Sequence, residues 1–277
     1  MLISVLWGAN TVAIKFGLED APPLRLAWMR FVVGGSVICV WAWATGRFAG
    51  FRIEPHEWRP LAVLGLLFSV QMAATNVGTW LTSAAHAAIL LNLYAVHTVV
   101  LAHFLIPGDR LSVRKVAGIL VAYAGIVLLA ARQVAEGSPT LVGDVVVTVA
   151  GVLLAERTVY LARAVQRLDP VKLLLAQALV GTAVLVVVSL VVEPAPTRWT
   201  ARLGASLAYQ GVLISGFNFV VNLALLRHYR PSALSAFFLT QPIFGVVAAA
   251  LVAGDPLTLD LLLACAAVAV GIGLTSR

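Results

Sequence analysis

The sequence predicts an all-α polytopic membrane protein, with ten transmembrane helices arranged as two five-helix inverted-topology repeats. Three observations carry that expectation. Hydrophobic residues make up 61% of the 277-residue chain and charged residues 11%, with a mean hydropathy of +0.98, whereas a soluble domain carries roughly 25% charged residues. Apolar runs of the length that crosses about 30 Å of hydrocarbon recur ten times, at 2–18, 24–44, 60–82, 85–106, 113–131, 143–165, 171–192, 203–226, 231–253 and 257–275. Several motifs also return at one shift. GDRLSVRKVAGILVAYAGIVLL from Gly108 reads like GDPLTLDLLLACAAVAVGIGL from Gly254, 146 residues later, and Asn76 stands to Asn222 at the same distance. TVAIKFGLEDAPPL from Thr11 reads like TVYLARAVQRLDPV from Thr158 at 147.

Such internal similarity divides the chain into residues 1–135 and 140–277, which together form one membrane domain with a central cavity. Five spans per half is an odd number, so the second half enters the bilayer from the opposite side. That is the inverted repeat of many secondary transporters, whose solute site lies near midplane between the halves. Charge placement orients the chain. Arg47, Arg52, Arg59, Arg110, Arg114, Lys115, Arg163, Arg167, Lys172, Arg227, Arg230 and Arg277 fall on the side of the termini, against Arg25, Arg132, Arg198 and Arg202 on the other. The positive-inside rule then puts both termini in the cytoplasm. The formal net charge of +7 is thereby explained without a nucleic-acid partner. The first run passes signal-peptide length and ends at Lys15 and Glu19 without a small-residue cleavage site, so no cleavable signal is expected.

Along the chain, polar side chains inside apolar runs mark the faces turned to a cavity or to protein, because they are costly against lipid. Helix one offers Trp7, Asn10 and Ile14 at one helical period. Helix two carries Arg30, which with Lys15 lies within two turns of the outer surface and is expected to snorkel to it. Helix three carries Gln71, Thr75, Gly78, Thr79 and Thr82 in one stripe, with Asn76 and Trp80 beside it. Helix four offers His86, Asn92, Tyr94, His97 and His103. Helices five and ten have uncharged cores with small residues four apart, Gly118 with Ala122 and Ala267 with Gly271, and read as packing scaffold. Helix six holds Glu156, Arg157 and Tyr160; helix eight holds Ser215, Asn218 and Asn222; helix nine holds Ser235, Thr240, Gln241 and Pro242. The proline frees the carbonyl of Phe238 and permits a kink, which can be a hinge or a static bend. The stripes describe a cavity enclosed by helices one, three, four, six, eight and nine. Each of these polar groups could instead bond a neighbouring helix, but matched stripes in both halves favour a solute site.

Glu156 and Arg157 lie about 10 Å inward from Arg163 at 1.5 Å per residue. Adjacent positions point about 100° apart, so the two have different partners. A buried charge pair or a snorkelling arginine is one reading. In the other, the pair meets the charged ends of a zwitterionic solute, or Glu156 titrates as solute or proton enters.

WGANTVAIKFGLEDAPPLRLAWMRF at residues 7–31, with the paired GDRLSVRK and GDPLTLD turns, resembles the drug/metabolite transporter superfamily in its EamA-type branch, and most closely the bacterial aromatic amino acid exporters. The resemblance implies a ten-helix carrier of small organic solutes in a prokaryotic plasma membrane, working by alternating access. One departure is Val96, where the family often has a proline in helix four; helix nine keeps its proline as Pro242. Trp7, Tyr94 and Tyr160 with the amides suit an aromatic or large apolar amino acid moved outward; hydrophobic organic cations, favoured by Glu156 and opposed by Arg157, are the second class, and a solute channel the third. An enzyme is not expected, since one deep acid gives no aspartyl dyad and HExxH is absent. Cys39 and Cys265 offer neither a CxxC nor a loop partner, so no disulfide, metal or other cofactor is expected. A small solute and the bilayer are the expected partners. A monomer suffices, with the oligomeric state left open.

Overall fold

In the computed structural model, which describes residues 2–48, 52–234 and 240–275, the chain is helical throughout, with no strand among those residues. Seven helices are long and apolar enough to cross a bilayer: α2 (Pro23–Ala44), α3 (Trp58–Leu81), α4 (Ala84–Leu105), α5 (Val113–Ala135), α6 (Leu141–Ala164), α7 (Pro170–Val192) and α8 (Ala201–His228). Among the described residues there are also three shorter apolar helices, α1 (Leu2–Leu18), α9 (Gln241–Ala253) and α10 (Leu259–Thr275). This is a polytopic membrane protein.

Local chemistry sets the ends. Ser83, Ser112, Thr200 and Asp169 each accept a hydrogen bond from a backbone N–H of the first turn they precede, satisfying donors that have no partner inside the helix. Pro23 and Pro170 open α2 and α7, where a proline loses no bond. Gly137 and Gly254 close α5 and α9 with φ of 62° and 74°, a left-handed geometry that costs a glycine little.

Several helices depart from regularity. α1 is interrupted at Ala9 and α4 at Leu93, each next to an asparagine. α8 widens into a π segment at Tyr209–Asn218, as π-bulges often do near functional positions. Pro242 stands in the first turn of the described part of α9. Ser235 and the carbonyl of Phe238 lie outside the described residues. α4 breaks at Leu93 without a proline, and 147 residues later Thr240 precedes the start of α9.

Packing follows the paired helices. α2 lies on α7, α3 on α6 and α7, α8 on α2, and α5 on α10. One apolar cluster joins α2, α3, α6, α7 and α8 around Phe31, Phe68, Leu174 and Phe219, while a second joins the start of α4 to α5, α9 and α10 around Ile89, Ala122 and Val268. The scaffold role expected of α5 and α10 is their geometry here. They face each other, and α5 turns most of its remaining surface outward.

The two ends of the bundle are tied by polar contacts. At one, Lys172 donates to both carboxylate oxygens of Glu57 at 2.7 and 2.6 Å, which holds that carboxyl below the usual range. At the other, the Glu193 carboxylate accepts from the backbone N–H groups of Leu24 and Arg25 at 2.7 and 2.8 Å. There too Asp20 accepts from Thr200 Oγ1 at 2.6 Å and Arg202 Nε at 2.9 Å. The Arg202 bond, then that of Thr200, holds the Asp20 carboxyl down at about 2. A depressed carboxylate contributes stability above its unfolded value, near 3.9, and loses it as pH falls through the folded value. D20N is therefore expected to lower the thermal midpoint in detergent near neutral pH. The difference from wild type should shrink on acidification from about pH 5 towards pH 2; a constant difference would show that Asp20 acts without its charge.

Candidate functional site

Near the middle of the bundle, Trp7 and Asn10 of α1, Arg30 of α2, Gln71, Met72 and Thr75 of α3, Leu91 of α4, Leu154 and Arg157 of α6, and Ile214 and Phe219 of α8 line one cavity of ≈ 20 Å³. Trp7, Arg157 and Phe219 also wall a second cavity of the same size, which continues towards the Glu57 end past Leu161, Gln177, Asn222 and Leu226. Twenty cubic ångströms admit a water, whereas an apolar ring needs on the order of 150 Å³. The described conformation is closed around its centre.

The walls are aromatic and the charges are two arginines. Trp7 stacks on Phe219 with centroids 6.2 Å apart. Phe31, Phe68 and Phe219 pack edge to face or tilted at 4.5–6.2 Å. Arg157 lies 5.1 Å over Phe68 and 5.5 Å over Phe219, is 4% exposed, and donates from Nη1 to Gln177 Oε1 at 3.0 Å. Arg30, expected to snorkel, is instead 1% exposed. Its Nη1 donates to Gln210 Oε1 at 2.9 Å, its Nη2 lies 2.8 Å from Met72 Sδ, and the guanidinium sits 4.5 Å over Phe31. Among the described residues no carboxylate pairs with either arginine, none lines either cavity, and both Nε atoms lack a hydrogen-bond partner. A cation–π contact is worth about 2 kcal/mol when desolvated. Burying an ion costs several kcal/mol even after relaxation, so the aromatic rings alone do not compensate these charges.

Of the buried neutral acceptors, Asn10 and Gln71 line the cavity with both arginines. Asn10 Oδ1, Gln71 Oε1, Asn76 Oδ1, Asn92 Oδ1 and both amide atoms of Asn218 are buried without a hydrogen-bond partner among the described residues. The amide nitrogens of Gln71, Asn76 and Asn92 are held by Thr75 Oγ1 and by the carbonyls of Met72 and Ala88 at 2.7, 2.9 and 2.6 Å. These local bonds leave the oxygens as the available groups. Thr79 bonds back to the Thr75 carbonyl at 2.7 Å. The first half of α4 packs on the start of α9.

Of the residues singled out in the sequence, Trp7, Asn10, Gln71, Thr75, Arg157 and Asn222 line the two cavities, and the rest fall elsewhere. Glu156 is exposed on the outside of α6. Trp80 is 54% exposed and borders a groove at the Asp20 end, with Pro22, Pro194 and Pro196. Tyr160 donates to the Pro60 carbonyl at 3.0 Å. His97 bonds Tyr123. His86 Nδ1 lies 3.0 Å from Asp144 Oδ2 and 2.6 Å from Gln133 Nε2, in a cluster that Thr82 joins at the Asp20 end. Lys15 reaches the carbonyls of Thr79, Trp80 and Thr82 at the end of α3. The cavities also take Arg30, expected at the surface, and residues not singled out: Met72, Leu91, Leu154, Ile214 and Phe219 in one, Leu161, Leu174, Gln177, Leu223 and Leu226 with Phe219 in the other; of these only Arg30 and Gln177 carried a signal, as polar side chains inside apolar runs.

A model of the EamA-like transporter family matches residues 1–131 and again 141–277. An uncharacterized transporter of Archaeoglobus fulgidus is 28% identical over 255 residues, covering 89% of this chain and 85% of that protein. A probable amino-acid metabolite efflux pump of Escherichia coli K12 is 31% identical over 140 residues, 47% of this chain and 40% of the pump. A crystal structure with 20% identity superposes with a TM-score of 0.74 over 99% of this chain and 97% of its own, which establishes the fold alone.

Proposed function

The chain belongs to the EamA-like transporter family, and we propose that it is a secondary carrier exporting small solutes that join a carboxylate to an apolar body, with aromatic and large apolar amino acids the first class to test. One observation carries this reading: Arg157, which has no carboxylate partner among the described residues, presents a buried guanidinium to a cavity walled by Trp7 and Phe219. A guanidinium binds a carboxylate through paired N–H donors, and the rings suit an apolar body. The unpartnered amide oxygens of Asn10 and Gln71, which line the cavity, are available to an ammonium group. The similarity of part of the chain to a probable amino-acid metabolite efflux pump agrees with this class. Among the described residues no acid lines either cavity for an organic cation, and Glu156 is exposed on the outside of α6.

In this proposal all ten helices cross the plasma membrane of a prokaryote. The halves 1–135 and 140–277 are inverted repeats, with both termini cytoplasmic. The packing of α2 on α7 and of α5 on α10 supports it, because a twofold axis in the membrane brings shift-related helices together. Transport proceeds by alternating access, since a closed centre of ≈ 20 Å³ must open to each side in turn, with the breaks at Ala9 and Leu93 and the start of α9 at Pro242 as hinges.

In proteoliposomes, labelled phenylalanine uptake is expected to saturate, to show counterflow, and to be inhibited by phenylalanine but not by phenethylamine. Linear, non-saturating flux would indicate a pore. Inhibition by phenethylamine as strong as by phenylalanine would overturn the carboxylate reading. Impermeant labelling at a cysteine replacing Ser138 should report the outer side, and exclusively cytoplasmic labelling would reverse the topology. E156Q is expected to leave the apparent KM unchanged within about twofold, as for most substitutions at exposed positions; a large rise would return Glu156 to the site.

A further inference from the structure

The 147-residue shift that aligns Asn10 with Arg157 continues into the next helix. PPLRLAWMRFVVGG at residues 22–35 aligns with DPVKLLLAQALVGT at 169–182, matching Pro23 with Pro170, Arg25 with Lys172, Gly34 with Gly181, and Arg30 with Gln177. Each half therefore contributes one arginine and one amide at the same two positions, but in exchanged order. The first half has the amide on α1 and the arginine on α2; the second has the arginine on α6 and the amide on α7. The exchange brings both arginines to the centre. Asn10, Arg30 and Arg157 line the same cavity, and Gln177 accepts from Arg157.

Arg30 is held from behind rather than neutralised. Gln210, which accepts from it, is itself fixed by donating to Ser206 Oγ at 2.7 Å and to the Ala13 carbonyl at 3.2 Å. Met72 sulfur is a weak acceptor. A guanidinium has five N–H donors, and the bonds just named occupy two of those on Arg30 and one on Arg157. The aromatic groups between them, Phe31 and Phe68, give the two cations a shared wall without an acid in it. Two cations buried beside one cavity repel each other and favour an anion as its occupant.

We propose that Arg30 and Arg157 together form an anion-binding site, so that the solute class is apolar carboxylates with net negative charge, bound in preference to zwitterions. This rests on the carboxylate reading of Arg157 and adds Arg30 as a second binding residue. A zwitterion brings its ammonium into a cavity already holding two positive charges, where the remaining acceptors are neutral amide oxygens. A carboxylate without the amine keeps both guanidinium contacts and adds no third cation.

The probes are phenylalanine, its deaminated analogue 3-phenylpropionate and phenethylamine, used on the purified full chain at neutral pH. They are read as competitors of labelled phenylalanine counterflow and as ligands that raise the thermal unfolding midpoint, the second readout requiring no transport. In wild type, 3-phenylpropionate is expected to act at about one tenth of the phenylalanine concentration. R30Q should remove that difference while leaving phenylalanine counterflow measurable, and R30K should retain part of it. Phenylalanine acting at the same or lower concentration than 3-phenylpropionate in wild type would overturn the inference and leave the carboxylate reading standing. An undiminished preference in R30Q would remove Arg30 from the site. Phenethylamine acting as well as phenylalanine would overturn the carboxylate reading itself. Should R30Q fail to fold, the wild-type comparison and R30K decide.

Discussion

Phenylalanine counterflow through an R157Q carrier is expected to half-saturate at about 10- to 100-fold higher solute concentration than wild type, the range that corresponds to a charge-assisted hydrogen bond of roughly 1.5–3 kcal/mol. Arg157 donates to Gln177 Oε1 and lies between Phe68 and Phe219, so its other N–H groups are oriented towards the cavity before solute arrives. Glutamine keeps a polar group there but loses the charge and the planar fork. R157K keeps the charge and should be less impaired, though a lysine offers a point charge rather than paired donors. Phenethylamine, which has no carboxylate, should bind R157Q no worse than wild type. Equal losses for both solutes would assign Arg157 to structure.

The same substitution has an opposite effect on stability. A residue whose only role was packing would destabilise when replaced. Arg157 is a buried cation with no carboxylate partner among the described residues, and removing such a charge relieves a desolvation penalty. R157Q is therefore expected to unfold at the same or a higher temperature than wild type while transporting less well, the exchange of stability for function seen where a binding site must keep unpaired charge.

Much of this arrangement was legible in the sequence, and the residues that were not show why. Hydropathy places nine of the ten spans within about five residues of a described helix, the other, 231–253, running through residues outside the described ones, because the cost of unsatisfied backbone in lipid leaves little choice but a helix. The stripe at Gln71 and Thr75 reads the cavity face of α3, since a shared face follows from spacing alone. Spacing gives relative direction only. It separates Glu156 from Arg157 by about 100°, but which of the two faces inward depends on what α6 packs against, and α3 takes the Arg157 side. Arg30 was misplaced for a related reason. Seven residues inside α2, it is close enough to the end to reach water, and only the bulk of α3 and α8 around it closes that route. The clue that distinguishes the two cases is its alignment with the buried Gln177. The break at Leu93 has no proline or glycine beside it to announce it, whereas Gly8 stands directly before the break at Ala9.

The α5–α10 seam is one place where a single carbon should cost the fold heavily. A Cβ at Gly271 would lie 2.6 Å from the Gly118 carbonyl oxygen and 2.6 Å from Ala122 Cβ, and one at Gly118 would lie 2.6 Å from the Gly271 carbonyl oxygen. The obstruction is mutual and made by backbone, so no side chain can turn aside; the helices must separate. Overpacking of this kind costs about 1–3 kcal/mol, and valine, branched at Cβ, should reach the upper end. At roughly 2–4 °C per kcal/mol for a chain of this order, G271V or G118V is expected to lower the thermal midpoint by about 5–10 °C, with reduced recovery of folded protein. Gly204 provides the contrast, because a Cβ there meets nothing within 4 Å and G204A should be neutral or slightly stabilising through helix propensity. The seam lies away from Arg30, Arg157 and Trp7, so the protein that does fold should keep its apparent KM for phenylalanine. A G271V midpoint equal to that of G204A would show that α10 is seated by contacts other than this crossing, whereas a changed KM with an unchanged midpoint would couple the scaffold to the cavity.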